Sequence, residues 1–338
     1  MSKPFETKRA NVRDVARHAQ VSVATVSRVL NRAPNVADQT RAKVEHAMSA
    51  LRFVPSSAAR AINTGRSRLI GALIPAVDHA IFALFVTSLE ERLDTHGLSL
   101  IVANTNHDPL RELDRAKKLL NVGVEGLIVS GVTRAEPFDA LVDQHQVPVI
   151  ATSLFQQDCL YPTIGYDNAA VAGRALEHLT ALGHRAVGVL HGPAACNDRV
   201  RARLSGLREA ADVALVIQET HMTFEAAAQT TRKILADHPE VTALLCLSDV
   251  LAQGALVYLK TQGLRVPKDL SVIGVDDLPN SGSFDPPLTT VQLPAQRMGE
   301  RTADALATRL ETGERPKAQC LDTALIERAS TGPPPRAR

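Results

Sequence analysis

The chain has 338 residues, 45% of them hydrophobic and 22% charged, with four cysteines, no tryptophan and a formal net charge of +2. That length gives room for two or three domains around a large core, and the composition excludes a disordered, collagen-like or disulfide-stapled chain. No apolar run approaches the roughly 20 residues needed to cross a bilayer, and the opening MSKPFETKRANVRD lacks the apolar centre of a secretory signal.

Cys159, Cys196, Cys246 and Cys320 are scattered, without the spacing of a zinc site or a disulfide framework. A cytoplasmic protein with no metal and no cofactor is therefore expected. The small net charge conceals a division. Residues 1–66 hold 12 Lys and Arg against 4 Asp and Glu, net +8, whereas the remainder holds 26 against 32, net −6. A basic head on an acidic body points to a polyanion-binding module joined to something that is not one.

The first 52 residues read as three short helices. In NVRDVARHA, Asn11 is a candidate N-cap with Asp14 three residues on, and Val12, Val15, Ala16 and Ala19 fall on one side. Ser22 can cap a second helix over residues 23–30, whose Val26, Val29 and Leu30 share an apolar face. Val23, Ala24, Thr25, Ser27 and Arg28 fall elsewhere on it. After the loop NRAPNVADQ, a third helix carries Val44, Ala47, Met48 and Leu51 at i, i+3, i+4 and i+7.

Two short helices joined by a tight turn in a basic domain form the arrangement that lays a second helix in the DNA major groove. Small Val23 and Ala24 then let the backbone approach base edges and pack on thymine methyls, while Arg28 reaches a guanine edge or a phosphate. Ser22, Thr25, Ser27 and Asn31 can hold phosphates and fix the register. Next, in FVPSSAARAINTGRSR, Pro55 stops the preceding element, Ser56 or Ser57 can cap a short helix AARAIN, and Gly65 ends it. A helix this short is marginal alone; it is either a linker that orders against a partner or a flexible tether.

From residue 69 apolar runs alternate with helical patterns. LIGALIP, SLIVANT, GLIVSG and VPVIAT are separated by helices near 80–96, 108–121 and 135–145. TIGYD, AVGVLHG, a weaker ALVIQE, ALLCLSD and SVIGVDD follow in a second series. Such runs predict two doubly wound parallel-sheet subdomains that meet near residues 161–165, with a helix at about 294–312 and a strand near 319–328 crossing back. Ligands bind beyond the C-terminal ends of strands in these sheets. That rule nominates Asp78 and His79, Asn104, Ser130, Ser153, Asp167, Ser248 and Asp249, and Asp276 and Asp277.

DVARHAQVSVATVSRVLN closely resembles the N-terminal signature of the lactose/galactose repressor family. TRAKVEHAMSALRFVP is similar to its third helix, and RAINTGRSRLIGALIP to its hinge and first core strand. The likeness runs on through LTALGHRAVGVLHGP, RVRARLSGL, LCLSDVLAQGAL, LRVPKDLSVIGVDD and PPLTTVQLP, and so covers nearly the whole chain.

The resemblance implies an N-terminal all-α helix-turn-helix DNA-binding domain (1–55), a hinge helix or linker (56–66), and an α/β periplasmic-binding-protein-like core. The core's first subdomain would span 67–164 and about 294–315, its second 165–293 and about 316–330, with 331–338 a disordered tail. It further implies a homodimeric transcriptional regulator on a near-palindromic double-stranded DNA operator. The expected action is repression relieved by a sugar or sugar acid bound in the core cleft, with no enzymatic activity. A corepressor-dependent repressor or an activator of the same family is the alternative, and a solute-binding protein a distant one.

By the family pattern Val23 and Ala24 hold the main base-reading positions, with Arg28 beside them. Ala58 and Ala59 would give close contact between paired hinge helices, and Ile62 stands where an apolar residue, commonly Leu, wedges into the minor groove. Gln20 stands where many members have Gly. In the core, Arg203 matches an effector-clamping arginine and Asp276 an acid that accepts effector hydroxyls. Ser248, beside Asp249, stands where members usually have Asn. His79 takes an Asn position, Phe82 keeps an aromatic, and Asp167 and Asn168 match a structural or cleft-rim pair.

Overall fold

The computed structural model describes residues 10–30, 33, 35–53, 65–208 and 213–335. It divides into two compact units, Met1–Ser67 and Arg68–Arg338. Asn31, Ala59 and Ile62, expected at the DNA, lie outside the described residues, as does most of the expected hinge.

The first unit is built from α1 (Val12–Ala19), α2 (Val23–Leu30) and α3 (Asp38–Ala50). Asn11 and Asp14 form a reciprocal capping box: the Asn11 side chain accepts from the Arg13 and Asp14 N–H groups, and Asp14 accepts from the Asn11 N–H at 3.0 Å. Gln20 ends α1 in the left-handed region, φ 55°, a conformation that favours Gly. Val15, Ala16, Ala19, Val26, Val29, Val44 and Ala47 are buried together, with Met48 and Leu51 packed against them. Arg41, which lies off the apolar stripe of α3, donates to the Ala33 carbonyl at 3.2 Å and so holds the loop before α3.

The second unit holds two six-stranded sheets, ordered β11-β5-β4-β3-β1-β2 and β12-β10-β9-β8-β6-β7. The first contains β1 (Leu69–Ile74), β2 (Ser99–Asn104), β3 (Gly126–Ser130), β4 (Val149–Thr152) and β5 (Thr163–Gly165), interleaved with α4 (Ala80–Thr95), α5 (Pro109–Val122) and α6 (Pro137–His145). The second follows with α7 (Asn168–Ala181), β6 (Ala186–His191), α8 (Asp198–Arg208), β7 (Ala214–Glu219), α9 (Phe224–Asp237), β8 (Ala243–Cys246), α10 (Asp249–Thr261), β9 (Ser271–Asp276) and β10 (Thr289–Gln292). The described strands pair in parallel except for β10 with β12. Continuous apolar runs become these strands because helices cover both faces: β3, β4 and β8 are buried along their whole length.

The chain leaves the first sheet after β5 and fills the second with β6 to β10. It returns through α11 (Ala295–Thr312), which packs along α4. The single strand expected near 319–328 is instead two: β11 (Gln319–Cys320) joins β5 in the first sheet, and β12 (Ala324–Ile326) lies antiparallel to β10 in the second. Arg174 of α7 donates to Thr323 Oγ1 at 2.7 Å and to the Thr323 carbonyl, fixing the crossing between them. The 316–330 stretch, expected wholly in the second subdomain, is therefore shared by both sheets.

The tail was expected to be disordered over 331–338, but its described part is anchored. His178 and Thr331 share a 2.9 Å hydrogen bond, and the Gly332 N–H donates to Ser271 Oγ at 3.0 Å. No helix among the described residues is long and apolar enough to cross a membrane.

Candidate functional site

Each unit carries a candidate site. On the first, Ser22 caps α2, its hydroxyl accepting the Thr25 N–H at 3.1 Å and sharing a 2.9 Å hydrogen bond with Thr25 Oγ1. Val26 and Val29 point into the core, which turns Val23, Ala24 and Arg28 outward; Val23 is 47% exposed. Thr25 and Ser27 are half-buried beside them. One cap and one short helix thus present Ser22, Val23, Ala24, Thr25, Ser27 and Arg28. A protruding helix edge of small residues, with hydroxyls and one cation beside it, suits insertion into a groove.

In the second unit the C-terminal ends of strands from both sheets surround a cavity of about 520 Å³, within the range of small-molecule sites. Its wall draws on the segments after β1 (Asp78, His79), β2 (Asn106, His107), β4 (Ser153), β5 (Tyr166) and β8 (Leu247, Ser248), on the last residue of β9 (Asp276), and on α8 (Arg199, Arg203). Ile81, Phe82, Phe85, Met222 and Val250 supply apolar surface.

Arg203 is placed by packing between helices. A Cβ on Gly206, one turn further along α8, would collide with the Ala169 backbone of α7, so only glycine lets the two helices approach this closely. That approach brings Arg203 Nε to 3.0 Å from Asn168 Oδ1, while Nη1 donates to the Leu247 carbonyl at 2.7 Å. Asn168 in turn donates to the Ser153 carbonyl at 2.9 Å, so a buried chain of polar contacts links the two sheets.

Ser248 is the N-cap of α10 and donates to Asp276 Oδ2 at 2.8 Å. Burial, reinforced by the nearby charge of Asp249, pushes Asp276 up to about 7, with Arg203 and the Ser248 hydroxyl restraining the shift. Asp276 (φ 130°) and Asp277 (φ 55°) both sit at positive φ, a strain of order 1–3 kcal/mol per residue held by surrounding structure. Here Arg328 and Gln292 donate to Asp277 at 2.7 and 2.8 Å.

Among the expected cleft residues, His79, Phe82, Arg203, Ser248 and Asp276 line the cavity. His79 occupies the N-cap position of α4 without a side-chain capping bond, and Phe82 follows in the first turn. Asp249 does not join them. It is fully buried, its Oδ1 accepts from Thr290 Oγ1 at 2.6 Å, and its Oδ2 accepts from Ser281 Oγ at 2.5 Å and the Leu278 N–H at 3.0 Å. The expectation that it binds effector is corrected: the first turn of α10 aims it at β10 and the turn after β9. Asp167 caps α7, accepting from the Ala170 N–H at 3.0 Å.

Tyr166, His107 and Arg199 are among the cavity residues that the sequence reading did not nominate. Arg199 was discoverable from its spacing, because it precedes Arg203 by four residues and so shares its helical face. Its Nη1 lies 3.0 Å from Asp198 Oδ1, and Asp198 Oδ2 accepts the Val132 and Thr133 N–H groups at 2.5 and 2.8 Å. Gly131 (φ 75°) permits this approach, since a Cβ there would meet both Asp198 and Arg199. Burial alone would raise the Asp198 pKa; Arg199 and the two N–H groups more than offset that and hold it below the ordinary carboxylate value. His107 is lowered to about 4, first by burial and then by Arg199 and His79, so it is neutral at pH 7. Among the described residues no group of three or more His, Cys, Asp or Glu could hold a metal ion.

Residues 11–56 match the family "Bacterial regulatory proteins, lacI family", and residues 176–331 match "Periplasmic binding protein-like domain". The chain is 32% identical over 335 residues to the HTH-type transcriptional repressor PurR of Edwardsiella ictaluri, covering 96% of this chain and 98% of that one. It is 30% identical over 334 residues to the HTH-type transcriptional repressor CytR of Escherichia coli K12, covering 95% and 96%. Among solved structures, the lac repressor dimer bound to operator and the anti-inducer ONPF superposes with a TM-score of 0.85 at 28% identity, over 96% of this chain and 100% of that one. A complex of the regulator CelR with cellobiose gives 0.69 at 26% identity, over 95% and 100%.

Proposed function

The chain belongs to the lacI family of bacterial regulatory proteins, DNA-binding transcriptional regulators with an effector-binding core, and from that premise we propose that it is a cytoplasmic repressor that leaves its operator when a small molecule fills the core cavity. The observation that carries the DNA half of this reading is the outward-facing Val23–Ala24 edge of α2, set on a helix whose Val26 and Val29 are buried. Val23 and Ala24 contact bases, Arg28 contacts a guanine edge or phosphate, and Ser22, Thr25 and Ser27 fix the register on phosphates. The lac repressor structure contains a dimer on operator, which supports a homodimer reading two half-sites of a near-palindrome.

In the core, Arg203, Asp276, Ser248, His79 and Phe82 hold the effector. The CelR–cellobiose complex supports a sugar or a sugar acid, and the role is binding rather than catalysis. Effector and DNA then oppose each other reciprocally: whatever weakens operator binding is itself bound more weakly on the operator. The test compares the full chain with a 67–338 fragment on DNA selected by the full chain. The fragment is expected to bind no specific DNA, and specific binding by it would refute the assignment of residues 1–66.

A further inference from the structure

Arg199 and Arg203 stand one turn apart on the same face of α8, both about 7% exposed and both in the cavity wall. Like charges at this spacing repel, and a buried charge is costly unless it is paired. Their neighbours do not supply a matching pair of carboxylates. Asp198 faces Arg199, but its oxygens are already engaged by Arg199 and by the N–H groups of Val132 and Thr133. Glu112 is held by Arg134 at 2.8 Å. The hydrogen bonds of Arg203 to Asn168 and the Leu247 carbonyl reach uncharged acceptors.

Two other acids line the wall: Asp276 is turned to Ser248 and pushed up to about 7 by burial, and Asp78 lies exposed in the turn between β1 and α4. His79 and His107 also face the space; His107 is neutral and can accept from Arg199 at 3.4 Å. On the buried face of α8 two guanidiniums therefore share one hydrogen-bonded carboxylate, Asp198. The first turn of α4, without a side-chain cap at His79, adds the positive end of a helix dipole on the opposite side.

Building on the effector-binding reading above, we propose that the cavity takes an organic carboxylate whose oxygens lie between Arg199 and Arg203, and that Arg199 sets the preference for this acid over a neutral sugar. A guanidinium recognises a carboxylate through two parallel N–H···O bonds, and two guanidiniums one turn apart converge on a single anion. The acid relieves the repulsion between them, so its binding draws on strain that a neutral ligand leaves in place. The apolar surface of Ile81, Phe82 and Met222 receives the rest of the molecule.

The test is thermal melting of the full chain with matched probes at equal concentration: galacturonate against galactose, gluconate against glucose, and 4-hydroxybenzoate against 4-hydroxybenzamide. The first two pairs report a sugar acid, the third an aromatic acid. In at least one pair the acid is expected to raise the melting temperature while its neutral counterpart does not. Arg199→Gln should weaken that acid by at least about tenfold, Arg199→Lys should keep the acid preference, and both should retain operator affinity. Should Arg199→Gln fail to fold, the neutral probes against wild type and Arg199→Lys still decide the point. A response to neutral probes alone, or an undiminished acid preference in Arg199→Gln, overturns the assignment while leaving an effector-responsive core standing. No response to any probe overturns both.

Discussion

The hydroxyl of Ser248 donates to Asp276 Oδ2 at 2.8 Å, so the residue that caps α10 also orients the acid in the cavity wall. The contact ties the position where this chain departs from the usual family residue to an acid of the site that is pushed up to about 7. Three consequences of the core's geometry can be measured directly, and one of the head's.

The first concerns pH. Asp276 is pushed up to about 7 in the fold, against an ordinary value of 3.8, by burial and by Asp249. Between roughly pH 4 and 7 the folded chain therefore keeps a proton that the unfolded chain releases, and this contribution to stability is lost as pH rises through 7. Asp276→Asn removes the titration. In denaturant titrations at several pH values, the stability of wild type relative to Asp276→Asn should fall steadily from pH 4 to 7 and level off above. A difference that stays flat over this range would place the Asp276 pKa near its ordinary value.

Arg203→Ala removes a buried guanidinium that touches the cavity but lies in the second unit. Operator affinity should stay within about twofold of wild type, while effector affinity should fall by about 2–5 kcal/mol, the usual cost of truncating one side of a buried charged contact. Binding of operator DNA measured with and without effector checks both halves at once. An unchanged effector response would exclude Arg203 from the site.

Asp249 makes a different prediction, because its three hydrogen bonds go to Thr290, Ser281 and the Leu278 N–H rather than to the cavity. Asp249→Ala leaves those donors unsatisfied and should destabilise the core by about 2–4 kcal/mol. Asp249→Asn, which keeps an acceptor, should cost less. Effector affinity measured on the folded fraction should change little in either variant. Loss of effector binding at full stability would return Asp249 to the cavity.

What could be read from the sequence divides along physical lines. The Asn11–Asp14 cap, the α2 and α3 apolar faces and the buried strands were legible because each is set by neighbours along the chain or by continuous burial. The split of 319–328 into β11 and β12 was not, since which sheet receives each half depends on where α11 and Arg174 bring the chain. Adjacent Ser248 and Asp249 looked equivalent as strand-end residues. They differ because one remains at the cap and the other begins the first turn of α10, which points it away from the cleft. Arg199 was visible in its i, i+4 spacing to Arg203, but the Gly131 contact that seats it is remote in sequence.

In the proposed division of labour α2 reads DNA and the cavity decides release. Selection of operator DNA with the full chain from a random library separates the two roles. Affinities for every single-base change in the selected half-site are then measured for wild type, a Val23/Ala24 double substitution and Arg203→Ala. A near-palindromic site is expected, with a changed base preference confined to a few adjacent positions in the Val23/Ala24 variant and a wild-type profile with lost effector response in Arg203→Ala. A selected site without two-fold symmetry, or the wild-type profile retained after both Val23 and Ala24 are replaced, would contradict it.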